Sequence, residues 1–424
     1  MGQGNSGEAI VGETEHLPLR KVVAVGIGNA LEFYDFLTYS FFAIQIGHSF
    51  FPERHGLLYS LAVFGVGFLT RPLGGLVLGV MGDRVGRRPA MVLSFSLIGV
   101  ALLGIALTPS YAEIGTAAPV LLVVFRLLQG FALGGEVGAS TAFLVEAAPP
   151  ERRGLYVSIQ YMTQDFAVLV AGIVGFVLSE ALTPEQLDGW GWRAAFLLGT
   201  AVIPMGFYLR RNLPETLETA EREALPAEGR RIPVRFVLLA LLMTMATSTY
   251  IFGIDYITTY VQDSLKMSSG AAFAATVLVG LCATVGDPAS GLLCDRFGRK
   301  PVMLGAAAVI LLGVMPAFLA MTRLGGAGVV LGVTALLAAL QSLLVVPALT
   351  TIAETLPKAI RSGTIGVVYA VSTSIFGGST QVVVKSLIDW TGSQLAPAWY
   401  ICGIVAVGAL AMVAVRESAP VRKA

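Results

Sequence analysis

Long apolar runs, each bounded by a short polar segment, follow one another along nearly the whole chain. A helix needs roughly 20 apolar residues to cross about 30 Å of hydrocarbon. Runs of this length predict membrane spans at 22–49, 57–81, 89–109, 117–147, 154–180 and 192–211 and, after a polar stretch, at 234–262, 271–293, 301–322, 326–355, 361–389 and 395–415. The pattern therefore predicts an all-α integral membrane protein of twelve transmembrane helices in two sets of six.

The same pattern divides the chain into five parts. We expect an N-terminal six-helix bundle at 21–211 and a C-terminal six-helix bundle at 234–415, joined by a central loop at 212–233. Polar tails are expected at 1–20 and 416–424. The first tail lacks the basic start and short apolar core of a removable leader, so the first span is expected to remain in the protein.

Composition agrees with a surface that faces lipid. Apolar residues make up 55% of the chain, charged residues only 13%, and the mean hydropathy is +0.77, whereas a soluble domain carries about 25% charged residues. The 49 glycines suit helices that approach one another closely. A net charge of +1 without a basic run argues against a nucleic-acid partner. Cysteines at 282, 294 and 402 lie in or beside apolar runs and do not indicate a disulfide framework.

The basic residues indicate the orientation. Of the 28 Lys and Arg residues, two lie inside spans and five fall on the side opposite to the termini, namely Arg54, Arg193, Lys266, Arg323 and Lys385. Because cytoplasmic loops carry an excess of Lys and Arg, we expect both termini and the central loop in the cytoplasm of a cell that holds this protein in its inner membrane.

Two loops are near copies of each other. Residues 79–89 read GVMGDRVGRRP and residues 291–301 read GLLCDRFGRKP. Glutamate and arginine recur seven residues apart after each loop, at 146 and 153 and at 354 and 361. Charged clusters of this kind can bond neighbouring helices in one state and release them in another, although either loop alone could be a simple anchor. We expect a cytoplasmic gate of Asp83, Arg84, Arg87, Arg88, Glu146, Arg153, Asp295, Arg296, Arg299, Glu354 and Arg361.

At these loops the chain resembles the major facilitator superfamily. The rest of the sequence is similar to its metabolite:proton symporter family, and to the citrate and tricarballylate branch in particular. The matching segments are GNALEFYDF at 28–36, RPLGG at 71–75, RLLQGFALGGE at 126–136, GWGWR at 189–193 and IFGG at 375–378. The resemblance implies two pseudo-symmetric six-helix bundles and proton-coupled uptake of a small organic acid such as citrate. We expect a monomer that works without a cofactor or a metal.

Polar residues inside the spans indicate the pathway, because a charge there costs about 2.5–3.5 kcal/mol on insertion scales. Residues 29, 32, 36 and 39 follow one stripe of a helix, with Asp35 at its edge. An arginine that turned from a carboxylate to an arriving anion would let that carboxylate hold a proton. The alternative is that these groups are structural ion pairs between helices.

The hypothesis of coupled transport assigns two sets of residues. Candidates for proton coupling are Glu32, Asp35, Glu136 and Asp165. Candidates for substrate binding are Asn29, Tyr39, Arg71, Arg126, Gln129, Gln160, Gln164, Tyr256, Gln341 and Tyr369.

Three acidic residues depart from the citrate pattern, namely Asp165, Asp255 and Asp287. Acids beside few bases would repel a trivalent anion. They are therefore protonated, or turned elsewhere, or the substrate carries fewer negative charges or a positive one. Asp287 followed by Pro288 could also cap a broken helix.

Other classes of function fit less well. The sequence has neither a phosphate-binding Gly-x-x-x-x-Gly-Lys loop nor a His-Glu-x-x-His zinc motif, so we expect no enzyme. An efflux antiporter of the same fold would favour a wide apolar cavity, and the residues here are polar. A sensor that binds without transporting would usually add a cytoplasmic domain, for which the tails are too short.

Overall fold

The computed structural model describes residues 29–30, 33–51, 55–84, 87–134, 136–211 and 234–420, apart from some side chains within these ranges. In chain order, the first helices are α1 (33–41 and Ala43–Phe50), α2 (Gly56–Leu69 and Arg71–Arg84), α3 (Arg87–Leu107), α4 (Ala117–Leu133 and Glu136–Ala147), α5 (Arg153–Ala181) and α6 (Trp192–Arg211). The remaining helices are α7 (Val234–Asp255, Ile257–Thr259 and a π-helical turn at Tyr260–Ser264), α8 (Ser269–Phe297), α9 (Arg299–Arg323), α10 (Ala327–Thr355), α11 (Lys358–Ser372, a π-helical turn at Thr373–Gly377 and Gly378–Thr391) and α12 (Ala396–Ala414).

The helices agree with the hydrophobic pattern. Within the described residues, α2, α5 and α7 to α12 are long and apolar enough to cross a membrane, and α3 and the first segment of α4 contain shorter apolar helices. The predicted N-terminal tail and central loop lie outside the described residues. The three cysteines are free, as expected.

One prediction about helix continuity differs from the structure. In α4, within the predicted span 117–147, the first segment ends at Leu133. Gly134 follows it and lies against the carbonyl of Arg71 in α2, where a Cβ would overlap the backbone. In α8 the suggestion of a broken helix is wrong, because α8 continues through Pro288.

The boundary between the two halves is built around α5 and α8, whose glycines allow close approach. Gly280 of α8 lies against the backbone of Leu169 in α5, and Gly172 of α5 lies against the backbone of Val277 in α8. Without a hydrophobic force between helices in lipid, such small-residue contacts provide the packing that holds them together. The two halves therefore meet along most of the length of α5 and α8.

A methyl group at Gly280 is expected to weaken this boundary. A Cβ there would overlap the backbone of Leu169, and overpacking of this kind typically costs about 1–3 kcal/mol. The Gly280→Ala variant should therefore melt several degrees below the wild type in a thermal scan in detergent. Gly305→Ala in α9 is the matched control, since a Cβ at Gly305 meets no atom within 4 Å. Equal melting of the two variants would contradict this packing.

The halves touch at both ends of the helices. At the end where residues 79–89 and 291–301 lie, here called the loop end, Arg361 of α11 pairs with Glu146 of α4 at 2.9 Å. At the opposite end, the Gln45 side chain of α1 donates to that of Gln262 in α7 at 3.5 Å. Among the described residues, the halves thus contact each other at both ends, an arrangement here called closed.

Residues after α12 dock on the start of α9. The carboxylate of Glu417 accepts hydrogen bonds from the backbone N–H groups of Arg299 and Lys300, each at 3.0 Å. Burial raises the pKa of Glu417, but its backbone hydrogen bonds outweigh burial and hold that pKa below its ordinary value. A negative charge at a helix N-terminus is favourable, so this contact fixes the segment at Glu417 against α9.

Candidate functional site

Arg126 is the most deeply buried cation near the centre of the N-terminal half. Its side chain in α4 is fully buried and donates to the Gln129 side chain at 2.5 Å and to the carbonyl of Phe64 at 3.2 Å. Its guanidinium also lies 4.6 Å from the ring centre of Phe36 and 4.4 Å from that of Tyr39. Among the described residues no carboxylate pairs with Arg126. Aromatic faces and neutral oxygens therefore surround its charge.

Arg71 is a second buried cation beside the first. Its guanidinium lies 4.3 Å from the ring centre of Phe36 and 4.2 Å from that of Phe68. The two arginines are electrostatic neighbours of each other, and both lie against the ring of Phe36. Two like charges so close in a buried region favour an anion between or beside them.

A small cavity of about 20 Å³ opens beside Arg71, with room for one or two water molecules. Its wall contains Asn29, Phe36 and Arg71 from the N-terminal half and Tyr369 from α11 of the C-terminal half. Tyr369 also borders a second, smaller cavity within reach of Tyr161. Neither of these two cavities could hold an organic acid.

Two predicted polar residues bond the described residues 29–30 to α5. The Asn29 side chain donates to the carbonyl of Gln160 at 3.0 Å and to the hydroxyl of Thr163 at 2.8 Å, and the Gln160 amide donates back to Asn29 at 3.2 Å. This network fixes Asn29 at the edge of the cavity.

A second polar group spans the boundary between the halves. The Gln341 amide of α10 donates to a carboxyl oxygen of Asp165 in α5 at 3.3 Å. Asp287 in α8 is an electrostatic neighbour of Asp165, and Ser342, next to Gln341 in α10, donates to the carbonyl of Ala283 in α8 at 3.3 Å. All four side chains are buried. Asp165 thus contacts the opposite half, while Arg126 lies deep in its own.

Several predicted residues lie apart from the arginines. Asp35 packs against Gly199 of α6 within the N-terminal half. Tyr256 is buried near the far end of α7, with Asp263 and Asp389 as its charged neighbours. Gln164 is buried with its amide nitrogen unpaired among the described residues. The structure therefore brings together only part of the predicted set.

Some predicted residues lie outside what the structure describes. They are Glu32 and the side chains of Asp83, Arg84, Arg87, Arg88 and Glu136. For these residues the sequence-based roles remain predictions.

At the loop end, Asp295 joins the two halves. Its carboxylate accepts hydrogen bonds from the backbone N–H groups of Gly154 and Leu155 in α5, each at 2.9 Å. The same carboxylate pairs with Arg299 at 2.9 Å, and Arg299 pairs with Glu354 at 3.1 Å. This arrangement places a charged group of α8 on the first turn of α5, where the N–H groups of a helix are free.

The remaining charged residues of the loop end differ in their contacts. Glu146 of α4 pairs with Arg361 of α11, so this ion pair joins the two halves. It does not join a glutamate to the arginine seven residues after it. Arg153 is half-buried at the start of α5. Arg296 is exposed and lies over the ring of Phe297, with no ion pair to another described residue.

Comparison with known proteins identifies the family. The sequence matches the family model described as Major Facilitator Superfamily over residues 25–287 and 238–424. The chain belongs to the major facilitator superfamily. The fold agrees, since the crystal structure of a D-xylose-proton symporter superposes with a TM-score of 0.74 at 19% identity, covering 95% of this chain and 98% of that one. The predicted twelve-helix fold is thereby confirmed.

Two relatives narrow the branch within the superfamily. The chain is 36% identical to a citrate-proton symporter of Klebsiella pneumoniae, over 91% of this chain and 90% of the relative. It is 31% identical to a proline/betaine transporter of Escherichia coli K12, over 95% of this chain and 84% of the relative. The resemblance to the citrate-like branch is therefore confirmed.

Sequence reasoning missed the aromatic surroundings of the site in this major facilitator. Phe36 lies against both arginines, Phe68 against Arg71 and Phe64 against Arg126. Phe252 of α7 packs against Phe68 from the other half, with ring centres 5.2 Å apart. The spacing of 64, 68 and 71 on one helical face was the signal available in the sequence. The contact of Asp287 with Asp165 had no such signal.

Proposed function

We propose that this protein is a secondary active transporter that takes up a small organic acid together with protons. The first candidates for substrate are di- and tricarboxylates such as citrate, in keeping with the citrate-proton symporter relative. The proposal is transport by alternating access without chemical conversion of the substrate. We propose a monomer in the inner membrane with both termini in the cytoplasm, because basic residues are in excess at the loop end.

The observation that carries this proposal is the buried charge of Arg126. Its guanidinium is held by rings and neutral oxygens in the described residues. A cation–π contact contributes about 0.5–2 kcal/mol, and a bidentate bond from arginine to a carboxylate is stronger and more directional. An arriving carboxylate can therefore displace the ring contacts. Arg71, Asn29, Gln129 and Tyr369 are the further binding residues that we propose.

Proton coupling requires an acid whose proton affinity depends on the conformation or on the bound substrate. We keep Glu32, Asp35, Glu136 and Asp165 as candidates. Asp165 is favoured among the described acids because it contacts the opposite half, so its surroundings must change when the halves move. Asp35 is less favoured because it faces α6 of its own half.

Alternating access requires the contacts at one end to break while those at the other end form. We propose that the ion pair of Glu146 with Arg361 and the contact of Asp295 with α5 form the cytoplasmic gate. Both join opposite halves at the loop end, so both must break for that end to open.

A second candidate substrate is a zwitterion. Asp165, Asp255 and Asp287 are buried, and none of them pairs with a described basic side chain. Such acids would favour a substrate that carries a positive charge beside its carboxylate, in keeping with the proline/betaine transporter relative.

Uptake of labelled citrate into proteoliposomes tests both candidates. With an inside-alkaline pH gradient, we expect accumulation that a protonophore abolishes and that unlabelled tricarboxylates inhibit. Liposomes without protein are the control for leakage. Gradient-driven uptake inhibited by betaine or proline instead would select the zwitterion, and the absence of gradient-driven uptake of any of these compounds would overturn the symporter.

A further inference from the structure

Two carboxyl groups meet across the boundary between the halves. Asp165 of α5 is 6% exposed and Asp287 of α8 is 1% exposed. The Gln341 amide of α10 donates to Asp165, and the next residue, Ser342, donates to the carbonyl of Ala283, one turn before Asp287 on the same face of α8. Two ionised carboxylates this near each other in a buried region repel, and a proton bound between them removes that repulsion, so the arrangement favours one bound proton.

The surroundings of this pair contain acids and hydroxyls but no ion-paired base among the described residues. Charged or titratable neighbours are Asp255 of α7, Tyr161 of α5 and, beyond Tyr161, Tyr369 of α11. Arg71 is the nearest described base in this series, as an electrostatic neighbour of Tyr369. Among the described residues, no adjacent base neutralises two negative charges on the pair, so a bound proton is the remaining way to reduce that charge.

The neutral neighbours leave two oxygen atoms of this site without a hydrogen-bond donor among the described residues. Gln341 donates its amide to one oxygen of Asp165, but its own oxygen has no hydrogen-bond partner among the described residues. The second oxygen of Asp287 is also buried and unpartnered there. The site therefore has acceptors in excess, which is the composition that binds a proton.

We propose that Asp165 and Asp287 form an acid pair that binds one proton between the two halves, and that this proton stabilises their closed arrangement. The proposal deepens the proposed function by naming where a coupled proton resides, and it rests on that function only for the proton's passage across the membrane. Asp287 thereby joins the candidates for proton coupling, and coupling requires both acids of the pair.

The physical reason is the behaviour of the pair when the proton leaves. Two ionised carboxylates in contact repel each other strongly in a region from which water is excluded. Separation of α5 from α8 would let water solvate each charge. Proton binding and closure therefore favour each other, and by linkage a conformation that separates the halves releases the proton. Since the loss of the proton destabilises only the closed arrangement, closure is expected at low pH and opening at high pH.

Distance measurements between spin labels test the pair without any substrate. One pair of labels at Glu180→Cys and Ser268→Cys reports on α5 and α8 at one end, and one at Glu151→Cys and Phe297→Cys reports on the other, in protein whose native cysteines are replaced. In reconstituted wild-type protein, we expect a longer-distance population at one end that grows as the pH rises.

Asp287→Asn is the deciding variant, because the asparagine amide can donate permanently to Asp165 as the shared proton does. We expect it to lose the pH-dependent population and stay closed. Asp165→Asn should also lose the pH-dependent population, because its amide can donate to Asp287. This variant replaces Asp287→Asn in the test if Asp287→Asn does not fold. Asp255→Asn is the matched control, since it removes a buried acid outside the pair and should keep the transition. The same transition in wild type and in both pair variants would overturn the proposal.

The measurement separates this proposal from the proposed function. A wild-type protein that opens with rising pH but takes up no labelled acid would support the pair and contradict symport of these acids. Conversely, gradient-driven uptake that is unchanged in Asp287→Asn, together with unchanged distances, would leave symport standing and remove the pair.

Discussion

Replacement of Arg126 by glutamine should reduce the uptake of labelled citrate by about 100-fold. Loss of one partner from a buried, hydrogen-bonded charge pair costs about 2–5 kcal/mol, and about 2.7 kcal/mol corresponds to 100-fold. The structure supports this value because Arg126 is fully buried and only rings and neutral oxygens hold its guanidinium in the described residues. Initial uptake rates in proteoliposomes, normalised to the protein inserted, give the measurement.

Two further variants make the test of Arg126 specific. Arg126→Lys keeps the positive charge but loses the planar guanidinium, which can donate two hydrogen bonds to one carboxylate. Its uptake rate should therefore lie between that of Arg126→Gln and that of the wild type. Arg193→Gln is the matched control, because Arg193 also lies over a ring, that of Trp192 at 4.3 Å, and donates to the carbonyls of Gly189 and Thr108. It lies outside the site and should keep most of its uptake. Equal losses at positions 126 and 193 would refute a binding role for Arg126.

Asp295→Asn should reduce uptake by about tenfold through loss of the gate. The variant removes a buried charge that pairs with Arg299 and accepts from two backbone N–H groups of α5. Hydrogen bonds to charged groups contribute about 1.5–3 kcal/mol each, and asparagine has only one acceptor oxygen for both N–H groups. The loop end should then spend more time open, which would raise the labelling rate of Cys294 by a membrane-impermeant reagent, because Cys294 is buried against Gly154 of α5.

The neighbouring position provides the control for the gate. Arg296 belongs to the same repeated loop but is exposed over Phe297 and forms no ion pair with a described residue. Arg296→Gln should therefore keep its uptake and its labelling rate close to the wild type. If Arg296→Gln lost as much uptake as Asp295→Asn, the gate would depend on the basic loop as a whole rather than on the contact of Asp295 with α5.

Much of the candidate site could be predicted because its residue types are costly in lipid. A buried arginine or asparagine stands out against an apolar run wherever it points. For this reason the sequence alone identifies Arg71, Arg126, Gln129 and Asn29 as candidates. Their aromatic neighbours were not, since a phenylalanine in a span has no polarity that distinguishes a site from ordinary packing.

The choice of partners could not be predicted, because it depends on helices that are distant in sequence. The sequence shows Glu146 and Arg153 only as members of a repeat and gives no partner for either, whereas in the structure Glu146 pairs with Arg361, which is 215 positions away. Asp35 lay at the edge of a predicted polar stripe, and a small rotation of α1 turns it towards Gly199. The helical period defines a face to within a residue, and only packing decides which neighbour that face meets.

By itself the sequence determined the number and order of the membrane helices, the repeat of the two halves and the side on which basic residues collect. Each of these properties depends only on local stretches of the chain, because the free energy of transfer into lipid depends on composition and length. Only the tertiary structure decided that Asp165 meets Asp287 and that Asp295 bonds to α5. Those contacts depend on the approach of α5 to α8, which the glycines of both helices permit and no single stretch of sequence contains.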